Sequence, residues 1–147
     1  MKKILFLLLL LSSFGINAHA DRDVSMIPVM RNSLDLIDLI ENDYGMEIVR
    51  IEYDIVSSSK ETYRTLSSDY EYTIIAFGDD RISDIDVELY RYNGSDWVLV
   101  KKDNDSSSKA VVTYTPSTTA RFKVVVKAYS FKSGYSVGHY GLIFCHD

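Results

Sequence analysis

The stretch GDDRISDIDVELYRYNG (78–94) decides how this chain folds, and it is an awkward one. It sets Asp79, Asp80, Asp84, Asp86 and Glu88 in or beside a run that otherwise alternates as a β-strand does. Strands are poor in Asp, whose short side chain competes for backbone hydrogen bonds and packs badly on a pleated surface. Parity resolves the conflict. Ile85, Val87 and Leu89 share one face, the one that enters a core, while Asp84, Asp86 and Glu88 share the other, followed by Tyr90 and Tyr92. Same-face neighbours stand about 6.5–7 Å apart. In water their repulsion stays below about 1 kcal/mol per pair after screening.

Outward from this strand the same period of two holds from Gly45 to the end. MEIVRIEYDIV (46–56) alternates with one slip near Val49 and Arg50 that reads as a bulge. ETYRTL (61–66) and DYEYTIIAF (69–77) follow, the latter with Tyr70, Tyr72, Ile74 and Ala76 on one face. After 82–92 come DWVLVKK (96–102), KAVVTYT (109–115), RFKVVVKAYSF (121–131) and YSVGHYGLIFC (135–145). The joints carry turn chemistry: Asn93-Gly94-Ser95, Asp103-Asn104-Asp105, Pro116-Ser117-Thr118 and Ser133-Gly134. Seven or eight short strands near ten-residue spacing predict an all-β fold, an antiparallel β-sandwich or barrel. A membrane barrel needs a continuous apolar outer face. Lys101, Lys102, Lys123 and Lys127 interrupt every candidate for one.

The first 45 residues are different. MKK followed by ILFLLLLLSSFGI and the small residues of AHA (18–20) reads as a signal peptide over 1–20, so the chain is expected to be secreted or periplasmic. Over 25–42, Met26, Met30, Leu34, Ile37 and Ile40 recur at helical steps, with Arg31, Asn32, Asp35, Asp38 and Glu41 mostly opposite. Pro28 suits a helix start and Gly45 a helix end. The expected division is a signal peptide at 1–20, a helical lead at 21–45 and a β-sandwich domain at 46–147. No further run approaches the roughly 20 apolar residues of a membrane-spanning helix.

Charge and cysteine content narrow the function classes. The net charge is −5, and it becomes −7 once Lys2 and Lys3 leave with the signal peptide. An acidic chain argues against nucleic acid as a partner. Cys145 is the only cysteine, so no disulfide forms within the chain and the core holds without staples. It reads as a buried thiol among the apolar residues of the last strand, with an intermolecular disulfide as the alternative.

Catalytic chemistry has little to stand on, and the expectation is that the chain is not an enzyme. His139 and His146 lie in no metal-ligand spacing, and there is no nucleophile elbow, phosphate loop or dinucleotide fingerprint. Adjacent residues of a strand face opposite ways, so Cys145 and His146 make a poor thiolate–imidazole couple. The strand carboxylates meet the distance requirement of a glycosidase pair, which keeps a small hydrolase as a distant alternative.

Two binding sites can be drawn from residue types. Calcium takes six to eight oxygens, and Asp84 and Asp86 with the turn acids Asp79 and Asp80 supply candidates. A second oxygen-rich loop at Asp103, Asn104 and Asp105 lacks the glycine and terminal glutamate of an EF-hand and reads as a hairpin turn. Tyr90, Tyr92, Trp97 and Tyr114 pair apolar area with a polar edge, so they can form a platform for sugar rings or a peptide, or else fill the core and its rim.

The succession YEYTIIAFGDDRISDIDVELYRYNG, VLVKKDND, VVTYTP, RFKVVVKAY and GHYGLIF resembles the bacterial pre-peptidase C-terminal domain over roughly residues 62–144. The likeness lies in the D-x-D strand at Asp84 and Asp86, in an aspartate after the next strand (Asp103 or Asp105), in the turn at Tyr114-Thr115-Pro116, and in a closing glycine–tyrosine strand. It implies a jelly-roll-like sandwich acting as a non-catalytic module, linked to secretion or to substrate or matrix binding, with calcium in some members. Its Asp84 and Asp86 either hold calcium or accept backbone N–H bonds from a turn. The partner expected is an extracellular or envelope protein or a glycan.

Overall fold

The computed structural model describes residues 25–147; the export segment read at 1–20 lies outside them. A helix, α1 (Ile27–Asp38), leads into eight strands. These are β1 (Glu47–Val56), β2 (Ser59–Leu66), β3 (Tyr72–Gly78), β4 (Ile82–Tyr92), β5 (Trp97–Asp103), β6 (Lys109–Tyr114), β7 (Ala120–Phe131) and β8 (Gly138–His146). They form two four-stranded sheets, ordered β1-β8-β3-β6 and β2-β7-β4-β5. Every pairing is antiparallel, and only β4 and β5 are sequence neighbours paired in one sheet. All other connections cross between sheets, which is the double Greek-key order of a jelly roll. The all-β sandwich expected from strand spacing is therefore observed, with eight strands.

The inward faces interleave as alternation demands. Ile85, Val87 and Leu89 of β4 are fully buried against Val124 and Val126 of β7 and Ile74, Leu142 and Phe144 of the facing sheet. The slip read near Val49 is a bulge: Ile48 pairs with Cys145 and Arg50 with Phe144, leaving Val49 unpaired in the register and exposed. It re-phases β1 so that Ile48 before it and Ile51 and Tyr53 after it all face the helix-side cluster.

The helix makes a third layer. It lies on the outer face of the β1-β8-β3-β6 sheet and forms a second apolar cluster there: Val29 and Ile40 against Ile75, Phe77, Ile143 and Cys145. Strand β8 is consequently covered on both sides, and all nine of its residues are buried. Gly141 sits under the Phe77 ring, where an added Cβ would collide with the ring. The buried stripe is only partly the one the spacing suggested: Met26 and Ile40 pack on the sheet as expected, and the middle of the stripe is displaced. Met30 and Leu34 are exposed, and the helix instead buries Val29 and Ser33, with Leu36 packed alongside. Ser33 is tolerated because its hydroxyl meets the Tyr53 hydroxyl and donates to the Met30 carbonyl at 2.6 Å. The final turn, Leu39–Asp43, widens to π geometry, which brings Ile40 back onto the sheet. Gly45, at φ +65°, then turns the chain into β1.

Candidate functional site

The acids of 78–94 separate into three environments. Asp79 is buried in the β3–β4 turn, where its carboxylate accepts from the Arg81 backbone N–H (2.9 Å), the Arg81 guanidinium (Nε, 3.0 Å) and the His139 backbone N–H (2.8 Å). The same guanidinium reaches His139 Nδ1. Burial alone would raise the Asp79 carboxyl, but the bonds from Arg81 and His139 outweigh it and hold the group below the ordinary carboxylate range. Asp80 is exposed beside it, at the mouth of a 260 Å³ cavity that also meets Asn32, Lys109 and Lys132.

Asp84 turns into the β5–β6 loop. Its Oδ1 accepts from the Ser107 N–H at 3.3 Å, while the Ile85 N–H donates to the Ser107 carbonyl at 2.8 Å. Asp103 works from the other side of that loop, accepting from the N–H groups of Asp105 (3.1 Å) and Val111 (2.7 Å). Register irregularities on both sides of Asp84 allow the turn inward. Asp86 stays on the outer face, half-buried, with its carboxyl raised by burial and then by the charges of Asp84 and Asp103. Among the described residues, no three His, Cys, Asp or Glu side chains stand where they could share a metal ion.

The other end of the same strand is aromatic. Because α1 covers one outer face of the sandwich, the β2-β7-β4-β5 sheet carries the one that the described residues leave uncovered. Its register lines up Tyr63, Lys123, Tyr90 and Leu99 across all four strands. Thr65 pairs with Arg121, and Tyr92 with Trp97, in the next row toward the edge. Trp97 lies 5.4 Å from Tyr63 and 5.2 Å from Tyr92, measured between ring centroids. Arg121 sits over Tyr63 (5.2 Å) and Trp97 (6.0 Å), and Lys123 over Tyr90 (4.9 Å) and Trp97 (5.6 Å).

The phenol hydroxyls of this cluster are all engaged internally. Tyr63 donates to Glu61 Oε2 (2.7 Å), Tyr90 to Glu88 Oε2 (2.5 Å) and Tyr92 to the Gly94 carbonyl (2.9 Å). The bond to Glu88 is the leading cause that pushes the Tyr90 phenol up to about 12. Lys123 and Lys127 take the remaining oxygens of Glu61 (3.2 Å) and Glu88 (2.6 Å). The rings are thereby fixed in place before any ligand arrives.

The structure thus brings Tyr90, Tyr92 and Trp97 together on one face, and adds Tyr63, Arg121 and Lys123, which the sequence did not point to. Tyr114 goes elsewhere. It packs on Phe122 at 5.7 Å beside the main core, because β6 turns that residue inward. Cys145 is fully buried under the helix with its thiol donating toward the Thr73 carbonyl (3.4 Å), while His146 faces away from it and stacks on Tyr70. No helix among the described residues is long and apolar enough to cross a membrane.

No family model matches this chain, and no curated protein does. Solved structures do share its fold. It is similar to CorA, a surface-associated copper-binding protein important in Methylomicrobium album BG8 copper acquisition, at TM-score 0.53 and 9% identity over 66% of this chain and 93% of that one. It is also similar to the pre-peptidase C-terminal domain of collagenase from Bacillus anthracis, at TM-score 0.49 and 10% identity over 65% and 87% of the two chains. The Yersinia pseudotuberculosis-derived mitogen aligns at TM-score 0.49 and 14% identity over 67% and 85%. The likeness is one of fold. The family resemblance drawn from the motifs is represented among these folds.

Proposed function

We propose that this chain is an exported, non-catalytic binding module that recognises a glycan on the uncovered face of its β2-β7-β4-β5 sheet. The observation that carries this reading is Trp97, set between Tyr63 and Tyr92 with Arg121 and Lys123 over the rings. Ring faces stack on the apolar face of a sugar, and a prefixed platform loses little side-chain entropy on binding. The opposite outer face is occupied by α1, so the sandwich offers one broad sheet surface to a partner. Export rests on the signal-peptide pattern at 1–20. A glycan array probed with the mature chain tests the reading: Trp97→Ala should weaken retention strongly, while a thermal melt shows the variant still folded. Binding to an envelope or matrix protein in place of every glycan would move the function to protein recognition.

Calcium is a separate proposal, favoured by the position of Asp84 and Asp103 on the β5–β6 loop beside Asp86, whose carboxyl is raised by burial first and then by those two charges. A cation drawn there should raise the melting temperature in millimolar calcium relative to chelator, and Asp86→Asn should remove the rise. Superimposable curves would leave Asp84 and Asp103 as acceptors that fix the β5–β6 loop.

A further inference from the structure

Resting on the glycan reading of this face, we propose that the ligand is anionic, a sugar chain bearing carboxylate or sulfate groups, and that Arg121 reads its charge. The polar groups around Trp97 divide sharply into engaged and free. Both oxygens of Glu61 are taken, by Lys123 and Tyr63, and both oxygens of Glu88, by Lys127 and Tyr90. The hydroxyl of Tyr92 is taken by Gly94. Arg121 is exposed, and no carboxylate among the described residues pairs with it; its recorded side-chain partners are the rings of Tyr63 and Trp97. The Trp97 indole N–H likewise has no acceptor among the described residues.

The nitrogen groups left free at the platform are therefore all donors, and one of them is a full positive charge. A guanidinium held over aromatic rings keeps its N–H edge for an oxyanion, in the forked geometry that suits a carboxylate or sulfate. A neutral sugar offers hydroxyls that both donate and accept, and it gains nothing particular from a site built of donors. An acidic peptide would answer the charge but would make little use of ring area laid flat along a sheet. Charge is also segregated along the strand. Asp86 precedes Tyr90 by four residues and Tyr92 by six, about 13 and 20 Å, beyond a Debye length of roughly 8 Å, while Glu61 and Glu88 beside the rings are each paired with a lysine.

The test uses the mature chain in affinity gels and titration calorimetry, with matched probes: polygalacturonate against its methyl ester, dextran sulfate against dextran, and polyglutamate. The expected result is retention by polygalacturonate, dextran sulfate or both, with weak or no retention by the uncharged partner. Arg121→Gln should weaken it about tenfold, and Arg121→Lys should recover part of the loss. Trp97→Ala should weaken it as well, and thermal melts should show all three variants folded. Whichever of the two anionic polymers binds identifies the oxyanion as carboxylate or sulfate. Equal retention by charged and uncharged partners, unaffected by Arg121→Gln, overturns the anionic ligand while leaving the glycan reading in place. Polyglutamate binding as well as either anionic polymer, with Trp97→Ala silent, also overturns it. Retention of no polysaccharide at all removes the glycan reading itself.

Discussion

Asp79 and Asp86 lie seven residues apart in the sequence and are opposite in physics, since one is compensated and the other is not. Replacing Asp79 by Asn leaves Arg81 charged and buried with only neutral partners, and breaking such a pair costs about 3–5 kcal/mol. Urea denaturation of Asp79→Asn at pH 7 should show that loss. The same pair sets an acid limit. The Asp79 carboxyl is depressed in the folded state, so its contribution is complete above the unfolded value of 3.8 and is lost as pH falls through the lower folded value. Melting temperature should drop below about pH 4 in the parent and drop less steeply in Asp79→Asn. For Asp86 the sign reverses. Its carboxyl is raised, by burial first and then by Asp84 and Asp103, so its ionised form destabilises the fold above that raised value. Asp86→Asn should raise stability at pH 7 by up to about 1 kcal/mol, a gain that disappears in acid.

At the scale of elements, Gly141 lets the Phe77 ring lie against β8. Its missing Cβ is the space the Phe77 ring fills, so Gly141→Ala should cost about 1–3 kcal/mol through overpacking. Adding Phe77→Leu should return part of that loss in a double-mutant cycle, read by chemical denaturation. The strands themselves were legible from the residues. Period-two alternation and turn residues located all eight, including the Val49 bulge, because one-sided burial of β2, β4 and β6 writes itself directly into side-chain polarity. The helix stripe was legible at its ends, Met26 and Ile40, but not in its middle, for a definite reason. Ser33 occupies the middle of the buried side and hides it, while Met30 and Leu34 advertise a face that stays in water. A hydrogen bond to Tyr53, on a strand yet to be placed, is what makes Ser33 acceptable there. The platform was half legible: Tyr90, Tyr92 and Trp97 lie on one hairpin and are read together. Tyr63 and Arg121 reach it only through the β2–β7 and β4–β7 registers, which no local pattern contains.

The whole molecule is a helix, a sheet and a sheet, with polarity graded across the three layers. In the first sheet β3 and β8 are covered on both sides, and the second sheet is covered on one, so the described residues present two unlike ends to solvent along β4: acids fixing a loop at one end and rings with cations at the other. Jelly rolls tolerate this asymmetry because alternate crossing connections bind the sheets through their shared interior, leaving the outer faces free to differ. The same layering isolates Cys145, the one thiol in the chain, between α1 and β8. Burial pushes it up to about 11, so in the native protein it is both inaccessible and protonated. Exchange with an aromatic disulfide reagent should therefore proceed only when the helix lifts from the sheet. Its rate, compared with global unfolding measured by tryptophan fluorescence at Trp97 in the other sheet, would clock the two layers separately. A rate matching the fluorescence would mean that helix and sandwich open as one unit, and a faster rate would make α1 a latch that swings before the sandwich yields.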